Sequence, residues 1–345
     1  LKNVEKKIKR KDNNMGGNAL KNTYTERKST KDYNEIYDRL VPILKKVLDT
    51  EIQIVKSYHT KATHGDMDLL IKITNDFHNR NINMKELIEE TLSPNEIHNN
   101  GGVLSFDFEE FQIDLIPVKE SNWEASITFF DYDPTGNLMG KIAHKFGMKY
   151  GFNGLVYPFR NFNGKLSKDI TLSKDNHEIF TFLGYDYDRY LKGFETVKEI
   201  FEFIIGSKYF DHRNFLMENL NHIDRKRNQK RKTYQEFLKY IDDNNIDKTF
   251  DFKRDKSEYV DFIDENFPDI KIKEKIKNFE KIDKENQELN LKFNGRIIMS
   301  CFPDLKDKPL GDAINGFKDT FDDFRTYGLS HSSDEIMEDF MKYHG

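Results

Sequence analysis

Two aspartates one residue apart open an apolar run in His64-Gly65-Asp66-Met67-Asp68-Leu69-Leu70-Ile71. Strand side chains alternate between faces, so Asp66 and Asp68 are expected to share one. Like charges held that close repel each other unless a cation bridges them. Gly65 removes a side chain where a ligand would approach the backbone. A third carboxylate, Asp114, interrupts the apolar run Phe111-Gln112-Ile113-Asp114-Leu115-Ile116-Pro117, where nothing structural calls for it. Three strand-borne carboxylates are hard oxygen ligands of the kind that hold two Mg²⁺ ions, or Mn²⁺ in their place, for in-line phosphoryl displacement. A solitary Asp-x-Asp at a strand edge is more often merely solvated, so the weight falls on its surroundings.

Those surroundings read as a mixed α/β pattern. Ile36, Leu40, Ile43, Leu44 and Val47 recur at helical spacing across 31–50, with Pro42 expected to bend or divide the helix. Short apolar runs at 52–55, 69–73, 103–108 and 111–117 read as strands, with a helix at 85–92. Asn99-Asn100-Gly101-Gly102 is a turn by composition, and Glu109-Glu110 fits a hairpin tip. Beyond 119 the pattern predicts a helix at 138–146, strands near 155–158 and 168–172, and a helix at 197–205; from 206 it is mainly helical and charged. The expected organisation is a basic arm over 1–30, an α/β unit with a mixed sheet over 31–118, a smaller α+β region over 119–205 and a mainly helical domain over 206–345.

A chain of 345 residues supports about two domains of ~150 residues and a sizeable core. One cysteine, Cys301, excludes a disulfide scaffold, and it is expected to be buried and inert. No apolar stretch is long enough to span a membrane, and residues 1–14 lack the apolar centre of a signal peptide, so a cytoplasmic protein is expected. The chain opens on Leu1, and Met15 opens Met15-Gly16-Gly17-Asn18, which reads either as a fragment or as a start at Met15.

A net charge of −5 argues against a uniformly basic coat yet permits local patches. One lies at Lys2, Lys6, Lys7, Lys9, Arg10 and Lys11. The other comprises Arg225, Lys226, Arg227, Lys230, Arg231 and Lys232, read as a path for a nucleic-acid backbone or as a solvated helix face.

The segment Ser57-Tyr58-His59-Thr60-Lys61-Ala62-Thr63-His64-Gly65-Asp66-Met67-Asp68 resembles the Gly-Ser…Gly-Asp-x-Asp signature of the polymerase beta nucleotidyltransferase superfamily, and looks most like family X DNA polymerases. The likeness runs collinearly over roughly 50–190. Asp114 matches the third-carboxylate strand, and the run from Ser126 to Phe130 matches the strand with the family's aromatic pair. Asn137–Gly151 looks like the helix and Gly turn that follow, and Glu178–Tyr187 like the end of the thumb. There are departures: Lys56 stands where the family has glycine, and His59-Thr60 replace a basic pair. Ser57 lies one residue closer to Asp66, and Phe129-Phe130-Asp131-Tyr132 replaces Tyr-Phe-x-Gly. Residues 1–50 are too short for an amino-terminal lyase domain.

The resemblance implies a nucleotidyltransferase palm, a thumb-like region, and metal-dependent transfer from a nucleoside triphosphate to a DNA or RNA 3′-hydroxyl with release of pyrophosphate. Asp66, Asp68 and Asp114 would hold the two metals; Ser57, Lys61 and Gly65 would cradle the triphosphate; Phe129, Phe130, Asn137 and Lys141 would contact the nucleotide. His59 and His64 flank the site and are expected to be hydrogen-bonding groups, not ligands. The span Phe293–Phe317, with Asn294-Gly295 and Leu310-Gly311, is similar in cadence to a motif in the RNA-binding region of CCA-adding enzymes and bacterial poly(A) polymerases, although two helix caps at the glycines would account for it. The longer match favours a DNA acceptor; a monomer with no membrane partner is expected. An RNA 3′-end transferase, a small-molecule or protein nucleotidylating enzyme and a non-catalytic nucleic-acid-binding relative are the alternatives.

Overall fold

The structure, a computed structural model, describes residues 17–345. The basic patch at 2–11 and Met15 lie outside them. Strand β1 (Lys28–Ser29) leads into α1 (Thr30–Leu48), capped by the Ser29 hydroxyl on the Asp32 N–H. Then follow β2 (Ile52–Ile54), β3 (Thr63–His64), β4 (Asp66–Ile73), α2 (Asn75–Asn79), α3 (Met84–Leu92), β5 (Ile97–Asn100), β6 (Val103–Phe108) and β7 (Phe111–Lys119). Next come α4 (Trp123–Phe130), α5 (Thr135–Lys145), β8 (Lys149–Gly151), β9 (Gly154–Arg160), β10 (Leu166–Ser173), α6 (Asn176–Phe182), α7 (Tyr187–Leu191) and α8 (Val197–Gly206). The chain ends in helices α9 (His222–Gln229), α10 (Lys232–Asp243), α11 (Val260–Asn266), α12 (Ile272–Lys292), α13 (Gly295–Cys301), α14 (Asp307–Lys318), α15 (Phe324–Ser330) and α16 (Ser333–His344). The fold is α/β with a mixed sheet and a helical carboxy-terminal region. Among the described residues no helix is long and apolar enough to cross a membrane.

The central sheet has the order β2-β4-β7-β6-β5, parallel between β4 and β7 and antiparallel elsewhere. Its two faces are set by alternation. Met67, Leu69 and Ile71 of β4 and Ile113 and Leu115 of β7 join Tyr33, Ile36, Leu40, Leu44 and Leu48 of α1 in one core. Asp66, Asp68 and Leu70, with Asp114 and Ile116, take the intervening positions; Leu70 packs with Val118 and Trp123 in a separate cluster. Pro42 neither divides nor ends α1. A proline inside a helix costs about 3 kcal/mol, whereas burying each of the five large side chains gains about 1.5–3 kcal/mol, so packing wins. The hairpin tip is where the sequence put it, with Glu109 and Glu110 both left-handed (φ 52 and 58).

Two expectations need correction. Residues 17–30 are not a loose arm: the Ala19 N–H donates to Gln112 Oε1 (2.9 Å), and those of Lys21, Asn22 and Thr23 converge on the Glu96 carboxylate. The run from Ser126 to Phe130 is helix, not strand. Trp123, Ile127 and Phe130 fall at i, i+4 and i+7 and pack with the same cluster as Leu70, a period that strand alternation cannot provide.

The chain divides into two compact units. One comprises the chain up to Pro158 together with Ile170–Tyr259; the other comprises Phe159–Asp169 and Val260–Gly345. The division therefore falls after Tyr259 and not at 206, because α8, α9 and α10 pack with the first unit. In the second unit Phe293, Ile298, Phe317, Ile336, Met337 and Phe340 form the core. Phe159, at the end of β9, adds its ring against Phe279 of α12 (ring centroids 5.4 Å). Asn294 caps α13, accepting from the Arg296 and Ile297 N–H groups, and Gly295 lets Leu310 approach closely. Gly295 is the first residue of α13 and Gly311 lies inside α14, while Phe293 closes α12, so neither glycine is the helix cap the sequence suggested. Cys301 is exposed, not buried.

Candidate active site

Parallel pairing of β4 with β7 sets Asp68 directly opposite Asp114 and Asp66 opposite Gln112. Period-two alternation puts all four side chains on one face. Burial is the foremost cause that raises the pKa of each aspartate. Asp68 is pushed up furthest, because the charges of Asp66 and Asp114 add to its burial. Asp114 is steadied by the Gln112 amide, which donates to both carboxylate oxygens (3.1 and 3.0 Å). Among the described residues no three ligating groups are already closed around one point. The donor set is nonetheless three hard oxygen ligands whose mutual repulsion a divalent cation would relieve.

A cavity of about 370 Å³ opens beside Asp66 and Asp68. That is the size of a small-ligand site. Ser57 and Lys61 line it, with Lys61 Nζ donating to Ser57 Oγ (3.2 Å). Burial lowers the Lys61 pKa, while Asp66, Asp133 and Asp68 oppose the shift. Phe129 and Phe130 form an apolar wall, edge-to-face with each other (5.4 Å), and Phe130 stacks on Phe152. Asn137 faces the same space, and its amide oxygen is buried without a hydrogen-bond partner among the described residues.

The strap that carries this wall is latched. The Lys56 N–H donates to buried Asp131 (2.8 Å), and the Tyr132 N–H donates to the Lys56 carbonyl (2.7 Å). Burial pushes the Asp131 pKa up to about 6 against the pull of Lys56. Tyr132 is left-handed (φ 56) at the position where the resembled motif has glycine. Its ring, packed edge-to-face against Tyr190 and Phe194, compensates for that conformation.

Several expected residues are placed elsewhere. Gly65 is not in the cavity wall; its carbonyl accepts the Gly17 N–H (2.5 Å). Lys141 does not line the cavity; it forms a mostly buried ion pair with Asp224 (2.7 Å). Arg225 is committed to the carbonyls of Met217, Glu218 and Leu220. The basic patch is therefore split: exposed Arg227 and half-buried Arg231 line the cavity, whereas Lys226, Lys230 and Lys232 are exposed outside it. His59 pairs with Glu195 (2.8 Å). His64 stacks on Tyr33 (centroids 3.9 Å), and burial with the nearby Lys61 and Arg27 charges lowers its pKa to about 4. Both are hydrogen-bonding or packing groups, as expected.

Sequence reasoning overlooked Tyr33, Asp133, Gly136 and Thr233, which also line the cavity. Tyr33 reads as part of the α1 apolar stripe, and no local pattern connects Thr233 with Asp133, 100 residues away, to which it donates (3.3 Å).

A scan of protein-family models finds none that matches this chain, and a search of curated proteins finds no match either.

Proposed function

We propose that this protein is a metal-dependent nucleotidyltransferase that adds nucleotides from a nucleoside triphosphate to a nucleic-acid 3′-hydroxyl, releasing pyrophosphate. The observation that carries the reading is the pairing of Asp68 with Asp114 on one sheet face, with Asp66 and Asp68 bordering a cavity that Lys61, two arginines and an aromatic wall also line. Asp66, Asp68 and Asp114 would hold two Mg²⁺ ions, which when bound neutralise the phosphates and acidify the attacking hydroxyl. Asp114, whose burial raises its pKa, is suited to accept the 3′-hydroxyl proton. Ser57 and Lys61 orient the phosphates. Phe129 and Phe130 exclude water from the sugar side, and the free Asn137 oxygen is an acceptor facing the nucleotide. The test is incubation with Mg²⁺, each labelled nucleotide, and primed DNA, gapped DNA or transfer RNA. Incorporation on DNA is the expected result; none on any acceptor would sink the reading.

Sugar choice follows from the wall. A half-buried ring beside the ribose leaves no room for a 2′-hydroxyl, so deoxynucleotides should be incorporated in preference to ribonucleotides. Phe129→Ala or Phe130→Ala should erode that preference by about 10- to 100-fold in kcat/KM ratio. Ribonucleotide extension of transfer RNA by the unaltered protein, with DNA ignored, would instead favour an RNA 3′-end transferase.

The exposed lysines are proposed as the acceptor path. Changing Lys226, Lys230 and Lys232 together to Gln should weaken duplex DNA binding and flatten its salt dependence by roughly 0.9 in log–log slope for each phosphate no longer neutralised. An unchanged slope, measured by anisotropy across salt, would return these residues to a solvated face.

A further inference from the structure

We propose that Arg227 and Arg231 hold the phosphate tail of the incoming nucleotide, from a helical corner outside the stretch on which the family resemblance rests. The nature of the ligand rests on the transferase reading. The anion site itself rests on geometry.

Both arginines line the cavity that contains Asp66 and Asp68. Among the described residues, neither side chain makes an ion pair or a hydrogen bond. Arg231 is half-buried and feels the Arg227 charge, which the carboxylates of Asp133 and Asp224 offset in part without hydrogen-bonding to either guanidinium; a phosphate between the two would complete the balance. Lys61, which lines the same cavity, already shares its charge with Asp66, Asp133 and Asp68. A polyphosphate carrying several negative charges needs more cations than that. Bidentate guanidinium groups suit phosphate oxygens best.

The backbone adds to the same place. Arg231 is the N-cap residue of the twelve-residue helix α10; no side chain caps that end and no acidic residue occupies its first turn. Thr233, within that turn, also lines the cavity. The Tyr234 and Gln235 N–H groups are taken up by the Arg231 carbonyl, and the helix end, positive by its dipole, borders the cavity through Arg231 and Thr233.

The corner between α9 and α10 is rigidly held. Asp224 is tied to Lys141 (2.7 Å), the Tyr234 hydroxyl donates to the Phe215 carbonyl (2.7 Å), and Gln235 Nε2 donates to the Asn228 carbonyl (2.9 Å). Arg225, between the two arms, anchors the corner to three carbonyls. A phosphate arriving here meets donors already in position, which limits the entropy lost on binding.

The test is calorimetric binding of inorganic tripolyphosphate and of a nucleoside triphosphate to the full chain, with and without Mg²⁺. Arg227→Gln and Arg231→Gln should each weaken tripolyphosphate binding by roughly tenfold, as expected when a charge-assisted hydrogen bond is removed. Lys45→Gln with Lys46→Gln, exposed on α1 and away from the cavity lining, should leave it unchanged. On the unaltered protein, tripolyphosphate should protect both arginines from phenylglyoxal, read by mass spectrometry, so the proposal does not depend on a variant folding. Equal arginine reactivity with and without tripolyphosphate, or undiminished binding by the double arginine variant, would overturn it. Tripolyphosphate binding abolished in that variant, with no nucleotide transfer to any acceptor by the unaltered protein, would sink the transferase reading while the anion site stands. Transfer with an unchanged nucleotide KM in that variant would do the reverse.

Discussion

Asp68→Asn is expected to lower nucleotide incorporation by about a thousandfold or more, some 4 kcal/mol of transition-state stabilisation, while making the metal-free protein more stable. Asp66→Asn and Asp114→Asn should lose activity similarly. The stability gain follows from the direction of the pKa shifts. Asp68 lies on a mostly apolar strand, with burial, Asp66 and Asp114 all raising its pKa. A carboxyl with a folded pKa above its unfolded value carries no penalty at low pH. The penalty grows as pH rises from the ordinary value of about 3.9 through the raised one, and stays above it.

The unaltered protein in chelator should therefore lose stability relative to Asp68→Asn as pH rises through that window. The difference between the two proteins is the quantity to measure. His64 and His144, both held at about 4 by burial, act in the opposite sense: they cost stability as pH falls from the ordinary value near 6.5, in both proteins alike. Added Mg²⁺ should raise the unfolding temperature at neutral pH more for the unaltered protein than for the variant. Full incorporation by Asp68→Asn would refute the mechanism. An identical pH dependence of stability in the two proteins would show that the carboxylates do not strain the fold.

Gly136→Ala is expected to destabilise the first unit by about 1–3 kcal/mol and to raise the nucleotide KM, whereas Gly140→Ala, one helical turn on, should be neutral or slightly stabilising. A Cβ at Gly136 would lie 2.3 Å from the Phe129 carbonyl oxygen and 2.8 Å from its ring. The nearer atom is backbone, so no side-chain rotation relieves the clash, and α4 must move away from α5. Phe129 would then shift in the cavity wall. At Gly140 the nearest atom is the Tyr150 carbonyl oxygen at 3.6 Å, an ordinary contact, so the better helix propensity of alanine has nothing to oppose it. Thermal unfolding and nucleotide titration of the two variants side by side make the comparison. Equal behaviour would mean that the α4–α5 corner is looser than described.

What the sequence determined by itself is local. The shared face of Asp66 and Asp68 follows from a two-residue period, and the Glu109-Glu110 tip from two apolar runs with nothing else between them. The helix over 85–92 and that over 197–205 were legible for the same reason, since each is written in residues a turn apart. The α4 segment was expected as a strand on the family resemblance alone, which the strand propensity of Ile127, Thr128, Phe129 and Phe130 does not oppose; contact with Leu70 and Val118, remote in sequence, selects the helix.

Everything that needs a distant partner was left to tertiary structure. Asp114 reaches Asp68 only because β7 pairs in parallel with β4 across an intervening helical and hairpin segment. Six basic residues in a row of eight look alike in sequence, yet the fold gives Arg225 to backbone carbonyls, turns Arg227 and Arg231 into the cavity and leaves three lysines in water. Lys141 and Asp224 are 83 residues apart, and nothing near either one announces the pair. Period and propensity act between neighbours along the chain. Burial and charge pairing act between neighbours in space, and these decide which of several equivalent charges becomes part of a site.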